Sequence, residues 1–168
     1  MKASGGKAFF LCIFAGISIG LVLKLFVIDI VSVQGISMEP AVRDKETVVV
    51  CKAAYGLSDP FGSGALFRWK NAHPGDIVIY TYKNSLVIKR CAAAQGDSLE
   101  FSSDTGYTVS VRGKTYPLTE IQYNLIKGSP AVPDGMILAI GDNYENSIDS
   151  RTYGFIAQKD ILGKVIFK

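Results

Sequence analysis

Three short segments hold side chains that could do chemistry together. Gly35-Ile36-Ser37-Met38-Glu39-Pro40 sets a serine in a Gly…Pro bend, and Leu86-Val87-Ile88-Lys89-Arg90-Cys91-Ala92-Ala93-Ala94 sets a lysine in an apolar run. Residues 141–154, GDNYENSIDSRTYG, form a polar loop entered from the apolar run MILAI. A serine hydroxyl is a weak nucleophile until a base takes its proton. The single histidine, His73, precedes Pro74-Gly75-Asp76 in a turn and reads as a loop residue, which excludes a Ser-His-Asp triad by inventory. A lysine can be the base only when neutral. Strand alternation puts Val87, Lys89, Cys91 and Ala93 on one face. Buried there, the ammonium would lose hydration and its pKa would fall by up to about 3–5 units. A lysine guarding an exposed strand edge fits the same pattern equally well, and a plain turn residue is the competing reading of Ser37.

The acidic run in the third segment suggests a calcium loop. However, Tyr144 falls where a ligand is needed, and Ser147 where the sharp turn needs glycine. Asp149 and Arg151 are better placed to pair and stiffen the loop. Ser37 does not sit in a GxSxG elbow. Three cysteines (Cys12, Cys51, Cys91) with no CxxC or HxxxH pair argue against a metal site, so neither metal nor cofactor is expected. Cys12 lies in an apolar run, leaving Cys51 and Cys91 as the one plausible disulfide. Both sit in strand-like stretches and read as buried free thiols.

The elements that must position these residues begin with a membrane segment. The 168-residue chain has 18 Lys+Arg against 15 Asp+Glu, a net charge of +3. Lys2, Lys7 and Lys24 precede the first carboxylate, Asp29, so the chain beyond residue 28 is formally neutral. That leaves no basic face for nucleic acid, and 48% apolar content argues against disorder. Ala8–Ile28 is long enough, at about 30 Å as a helix, to cross a bilayer. Lys2 and Lys7 before it place the N-terminus in the cytoplasm and the rest outside a cytoplasmic membrane crossed once. A cleavable signal peptide is the alternative. No small-x-small site closely follows the run, which favours an uncleaved anchor.

Beyond residue 30, ETVVVCK, DIVIYTY, SLVIKRCAAA, YTVSVRG and GMILAIGD are β-branched or aromatic runs bounded by turn formers. Lys83-Asn84-Ser85 and Gly113-Lys114 read as hairpin turns. Thr119 with Gln122 forms a capping box opening a short helix, TEIQYNLIK, that Gly128 stops. The expected fold is mainly β: an antiparallel β-sheet domain over 29–168, with a smaller hairpin and helix extension at 98–135, on one transmembrane helix within 1–28. Residues 55–71 read as a long loop whose Phe61, Phe67 and Trp69, beside Arg68 and Lys70, either fold on one another or touch membrane lipid.

Together the segments resemble the type I signal peptidases, Ser/Lys membrane proteases of the S26 peptidase family. That family carries Ser-Met-x-Pro after its anchor, then Gly-Asp-Ile-Val, Lys-Arg-x5-Gly-Asp, and Gly-Asp-Asn-x3-Ser-x-Asp-Ser-Arg-x2-Gly. This chain has Ser37-Met38-Glu39-Pro40, Gly75-Asp76-Ile77-Val78, Lys89-Arg90 before Gly96-Asp97, and Gly141-Asp142-Asn143 before Ser147-Ile148-Asp149-Ser150-Arg151 and Gly154, in that order. The resemblance implies Ser37 as nucleophile and Lys89 as general base. It implies that Ser147 holds the lysine amine, and that Asp149, Arg151 and Arg90 form a salt-bridged wall. The Ser37 backbone N–H would be an oxyanion donor. It further implies signal-peptide-bearing preproteins as substrates, with small residues at the first and third positions before the cut.

An extended substrate is expected beside Ser37, with Ile36, Met38, Val87 and Ile88 around its small side chains. The chain departs from the pattern at Gly35, where many members carry a hydroxyl that is a second oxyanion donor, and at Tyr144, where an arginine is usual. Two other readings stand beside this one: a membrane-anchored β binding module without catalysis, and a Ser/Lys protease with a specialised substrate. Self-cleavage at Gly62-Ser63-Gly64-Ala65 is a variant of the latter, although that segment reads more readily as a flexible turn.

Overall fold

The computed structural model describes residues 4–58 and 65–167. Phe61 and Gly62-Ser63-Gly64 lie outside the described residues. Helix α1, Ser4–Phe26, opens the described chain. From Gly6 to Lys24 nearly all its residues are exposed, Phe10 at 71% and Phe14 at 70%. Gly6–Phe26, 21 residues with mean hydropathy 2.4, is long and apolar enough to cross a bilayer core. The span ends at Phe26 rather than at the expected Ile28, because Ile28–Ser32 forms strand β1, paired antiparallel with β2, Thr47–Cys51. Lys52 joins helix to sheet. Its Nζ donates to the carbonyls of Lys24 (3.2 Å) and Leu25 (3.3 Å) and pairs with Asp29 at 3.1 Å. Those carbonyls have no partner inside the helix, and a cation suits that end of its dipole.

A short ribbon follows, β3 (Gly56–Ser58) with β4 (Ala65–Arg68), where a loop was expected. Next come β5 (Ile77–Tyr82) and β6 (Ser85–Ala94), joined at Lys83 and Asn84, whose φ values are 46° and 62°. Two positive φ values make the primed turn whose twist matches a hairpin. Ser85, expected in the turn, pairs with Tyr82 inside the ladder. Three more strands form a separate small sheet: β7 (Glu100–Ser102), β8 (Thr108–Val111) and β9 (Lys114–Pro117). Its second turn is Arg112-Gly113, one residue before the expected pair.

Helix α2, Glu120–Ile126, carries the expected capping box, with Thr119 Oγ1 accepting from the Gln122 N–H and Gln122 Oε1 from the Thr119 N–H. The chain then runs through β10 (Met136–Ile140), a one-turn helix α3 (Ser150–Tyr153), β11 (Ile156–Ala157) and β12 (Ile161–Phe167). The main sheet is antiparallel in the order β1-β2-β12-β5-β6-β10-β11. One core cluster packs Val48, Val50, Ile79, Ile88 and Val165 with Val33, Met38 and Val42. A second packs Val78, Tyr80, Cys91, Ala139 and Ile161. The third joins β6 and β10 to the small sheet and α2. Cys51 and Cys91 are free thiols, Cys91 buried.

Candidate active site

Ser37 lies five residues beyond β1, in a turn held by its apolar neighbours. Val33 and Met38, 6% and 1% exposed, plug into the cluster containing Ile79 and Ile88. The Glu39 N–H donates to Ile36 O (3.1 Å) and the Val42 N–H to Met38 O (2.8 Å), which closes the turn. Gly35 has φ +97°, a conformation that suits glycine. Its N–H donates to Asp44 Oδ1 at 2.7 Å. The missing hydroxyl at this position therefore coincides with a backbone that side-chain-bearing residues rarely adopt.

Lys89 is the fifth residue of β6 and pairs with Val78 in the ladder. It is 5% exposed, so the buried member of the two readings of this lysine is the observed one. Its Nζ donates to Ser37 Oγ at 2.8 Å and to Ile88 O at 3.0 Å. Burial pulls the amine below the ordinary lysine pKa; Asp149 opposes this and Arg151 adds to it. A neutral amine at the same distance accepts the serine proton instead of donating its own. The pair is thus geometrically competent for nucleophile activation.

The polar loop after β10 folds around a buried carboxylate. Asp149 is fully buried, and its Oδ2 accepts from Ser147 Oγ (2.6 Å), the Gly141 N–H (3.0 Å) and Arg151 Nη2 (2.9 Å). Its Oδ1 accepts from Arg151 Nε (2.9 Å) and the Arg151 N–H (3.1 Å). Arg151 spends its remaining donors on the carbonyls of Pro117 (3.1 Å) and Tyr144 (2.8 Å). Asp149 and Arg151 therefore do pair. Tyr144 contributes that carbonyl and a ring 5.9 Å from the guanidinium.

Two expected contacts differ. Ser147 gives its hydrogen bond to Asp149 and not to the Lys89 amine, because its Oγ sits within 2.6 Å of a carboxylate that outcompetes a neutral acceptor. Arg90 does not join Asp149 and Arg151. It binds Asp142 through Nε (2.8 Å) and Nη2 (2.6 Å), and Gly75 O through Nη1 (2.8 Å). Strand alternation accounts for this: Arg90 projects from the face of β6 opposite Lys89.

Gly141 lets the loop reach the serine. A Cβ built there would overlap Ser147 Oγ and stand 2.5 Å from Ser37 O and 2.7 Å from Ser147 Cβ. The Asn143 N–H completes the junction by donating to Ser37 O at 3.0 Å.

A cleft of about 450 Å³ opens beside the pair, with Ser37 and Lys89 in its lining. Met38, Val87 and Ile88, expected around the substrate's small side chains, are in its lining. Ile36 does not; it is 45% exposed outside the lining. Residues 31–34, Leu86 and Ile148 also line the cleft and were missed. The alternation Ile28-Asp29-Ile30-Val31-Ser32 was the available signal, masked by its fusion to the apolar span. His73 is exposed in its turn, where its N–H donates to Asp76 Oδ2 at 3.1 Å. Among the described residues no three of His, Cys, Asp and Glu are grouped to hold a metal.

The family model for signal peptidase, peptidase S26, matches residues 6–168. A signal peptidase IB of Staphylococcus aureus (strain COL) is 30% identical over 164 residues, covering 85% of this chain and 78% of that protein. A probable signal peptidase I-1 of Synechocystis is 31% identical over 156 residues, covering 89% and 75%. Among solved structures, a signal peptidase I from Enterococcus faecalis V583 aligns with 58% of this chain and 98% of its own at TM-score 0.42 and 23% identity. With residues 6–168 matched by the family model and relatives 30% and 31% identical covered over three quarters of their length, the chain belongs to the S26 signal peptidase family, a family of serine endopeptidases.

Proposed function

We propose that the chain is a membrane-anchored endopeptidase that removes N-terminal signal peptides from exported preproteins through a Ser37/Lys89 dyad. The observation that carries this reading is the buried Lys89 amine 2.8 Å from Ser37 Oγ, at the wall of a cleft of about 450 Å³. Lys89 takes the Ser37 proton as Oγ attacks the carbonyl before the scissile bond. The Ser37 N–H receives the developing oxyanion. Lys89 then passes the proton to the leaving amine, and the same base activates the water that clears the acyl-enzyme. Asp149, Arg151 and Ser147 stiffen the wall behind the lysine, and Arg90 with Asp142 braces the next turn. This route calls for neither metal nor cofactor.

Helix α1 anchors the enzyme in the cytoplasmic membrane, with the N-terminus inside and the sheet that begins at Ile28 outside as the catalytic part. The substrate's own apolar segment lies in the same bilayer, so tethering raises the effective concentration of its cleavage site at the membrane surface. Phe67 on β4 and Trp69 just beyond it, 65% and 56% exposed, supply a second lipid contact. Cleavage of a defined signal-bearing precursor by the full chain in detergent tests the reading. Wild type is expected to release the mature protein, whereas Ser37→Ala and Lys89→Met release none. Full activity of either variant overturns the assignment and returns the chain to a non-catalytic module or another mechanism.

A further inference from the structure

The proposed mechanism leaves one catalytic donor, the Ser37 N–H, with no hydroxyl at residue 35 to help it. That N–H has no acceptor among the described residues. Its aim depends on the plane of the Ile36–Ser37 peptide, in which the Ile36 C=O points opposite to the Ser37 N–H. Whatever holds the Ile36 carbonyl therefore aims the oxyanion donor.

Two groups hold it. The Glu39 N–H donates at 3.1 Å from within the same turn, and Asn143 Nδ2 donates at 3.2 Å from the loop after β10. Asn143 also fixes the next peptide, since its own N–H donates to Ser37 O at 3.0 Å. Its side-chain amide is oriented in turn: Asn146 Nδ2 donates to Asn143 Oδ1 at 3.2 Å, which keeps the Asn143 NH2 toward Ile36. Amide therefore follows amide, from Asn146 through Asn143 and the Ile36–Ser37 peptide to the site of the oxyanion. Donation into a peptide carbonyl polarises the N–H of that same peptide and makes it a stronger donor.

We infer that Asn143 is a positioning residue for catalysis: its side-chain amide aims and polarises the Ser37 N–H that receives the oxyanion. The inference rests on the reading of Ser37 as nucleophile. Asn143 touches no reacting atom, and its contribution appears only when negative charge develops, so it belongs in kcat rather than in KM.

The test uses the full chain in detergent with four proteins: wild type, Asn143→Ala, Asn146→Ala and Ser37→Ala. Two ligands accompany the kinetics. One is a peptide aldehyde ending in alanine, which forms a tetrahedral adduct with the serine; the other is an uncleavable extended peptide that mimics the ground state. Asn143→Ala is expected to lower kcat about tenfold at unchanged KM, less than the hundredfold or more for deleting a direct donor. Aldehyde affinity should fall by the same factor while affinity for the uncleavable peptide holds. Asn146→Ala, at an exposed position, should shift both quantities the same way by less, and decides the matter if Asn143→Ala does not fold. Wild-type kcat in a folded Asn143→Ala, or equal weakening of both ligands, overturns the inference. Activity surviving in Ser37→Ala instead overturns the reading beneath it.

Discussion

Adding one methyl group at Gly141 tests whether the site depends on the loop after β10 pressing against the serine. In Gly141→Ala the new Cβ would stand 2.5 Å from Ser37 O and 2.7 Å from Ser147 Cβ, and would also overlap Ser147 Oγ. Ordinary van der Waals contact begins at 3.4 Å. Relief therefore needs a movement of about 0.9 Å from Ser37 O and about 0.7 Å from Ser147 Cβ, and more from Ser147 Oγ, the shifts of a small-to-large change in a packed site. Both neighbours are committed: Ser37 to the 2.8 Å contact with Lys89, and Ser147 to the 2.6 Å contact with Asp149. A displacement near 1 Å at a reacting group costs about a hundredfold in rate. Overpacking of this kind also destabilises by about 1–3 kcal/mol.

The assay is kcat/KM on a signal-bearing precursor in detergent, with a thermal melt of the same samples. Gly128→Ala is the control, because its Cβ meets nothing within 4 Å and its backbone is not left-handed. A folded Gly141→Ala with wild-type kcat/KM would refute the argument that this contact sets the site.

The remaining predictions concern protonation, a buried charge and lipid. Activity should rise with pH through the folded Lys89 pKa, which burial holds below the ordinary 10.5; Lys89→Arg, which stays protonated, should show no such limb. Between the folded Lys89 pKa and 10.5 the unfolded chain holds a proton that the folded chain has released, so stability rises with pH across that window and is flat for this group below it. Urea midpoints of wild type and Lys89→Met measured against pH should diverge in slope there; identical slopes would count against the depressed amine.

Asp149→Asn should cost about 3–5 kcal/mol in chemical denaturation, because Arg151 is left buried without its counter-charge. A loss under 1 kcal/mol would show the pair to be dispensable. Phe67→Ser with Trp69→Ser should lower liposome binding of the chain with α1 removed, and unchanged binding would remove the ribbon as a lipid contact.

Much of the site was legible because its parts are local patterns. The alternation of Val87, Lys89, Cys91 and Ala93 is a property of any strand, and β6 buries Lys89, Cys91 and Ala93 together. The spacing Asp149-x-Arg151 lets carboxylate and guanidinium meet at 2.9 Å inside one loop. The capping box of α2 needs no tertiary partner either. Ser147 and Arg90 were harder, because choosing among acceptors depends on which carboxylate comes closest, and no spacing gives that. β1 was hidden since its residues continue the apolar span; it becomes a strand by pairing with residues 47–51, fifteen to twenty-three positions away in the register.

The sequence alone determined the chemistry on offer. One histidine in a turn removed the usual base, a lysine in an apolar strand remained, and three lysines around an apolar span accounted for the net charge. These follow from residue type and short-range periodicity, which the chain carries without folding. Only the tertiary structure decided that Ser37 and Lys89, 52 residues apart, stand at 2.8 Å. It also decided that Gly141 and Asn143 seat the serine, and that Gly35 lies at φ +97°. Such contacts depend on how β1, β6 and the loop after β10 pack around shared cores, and packing is a property of the whole chain.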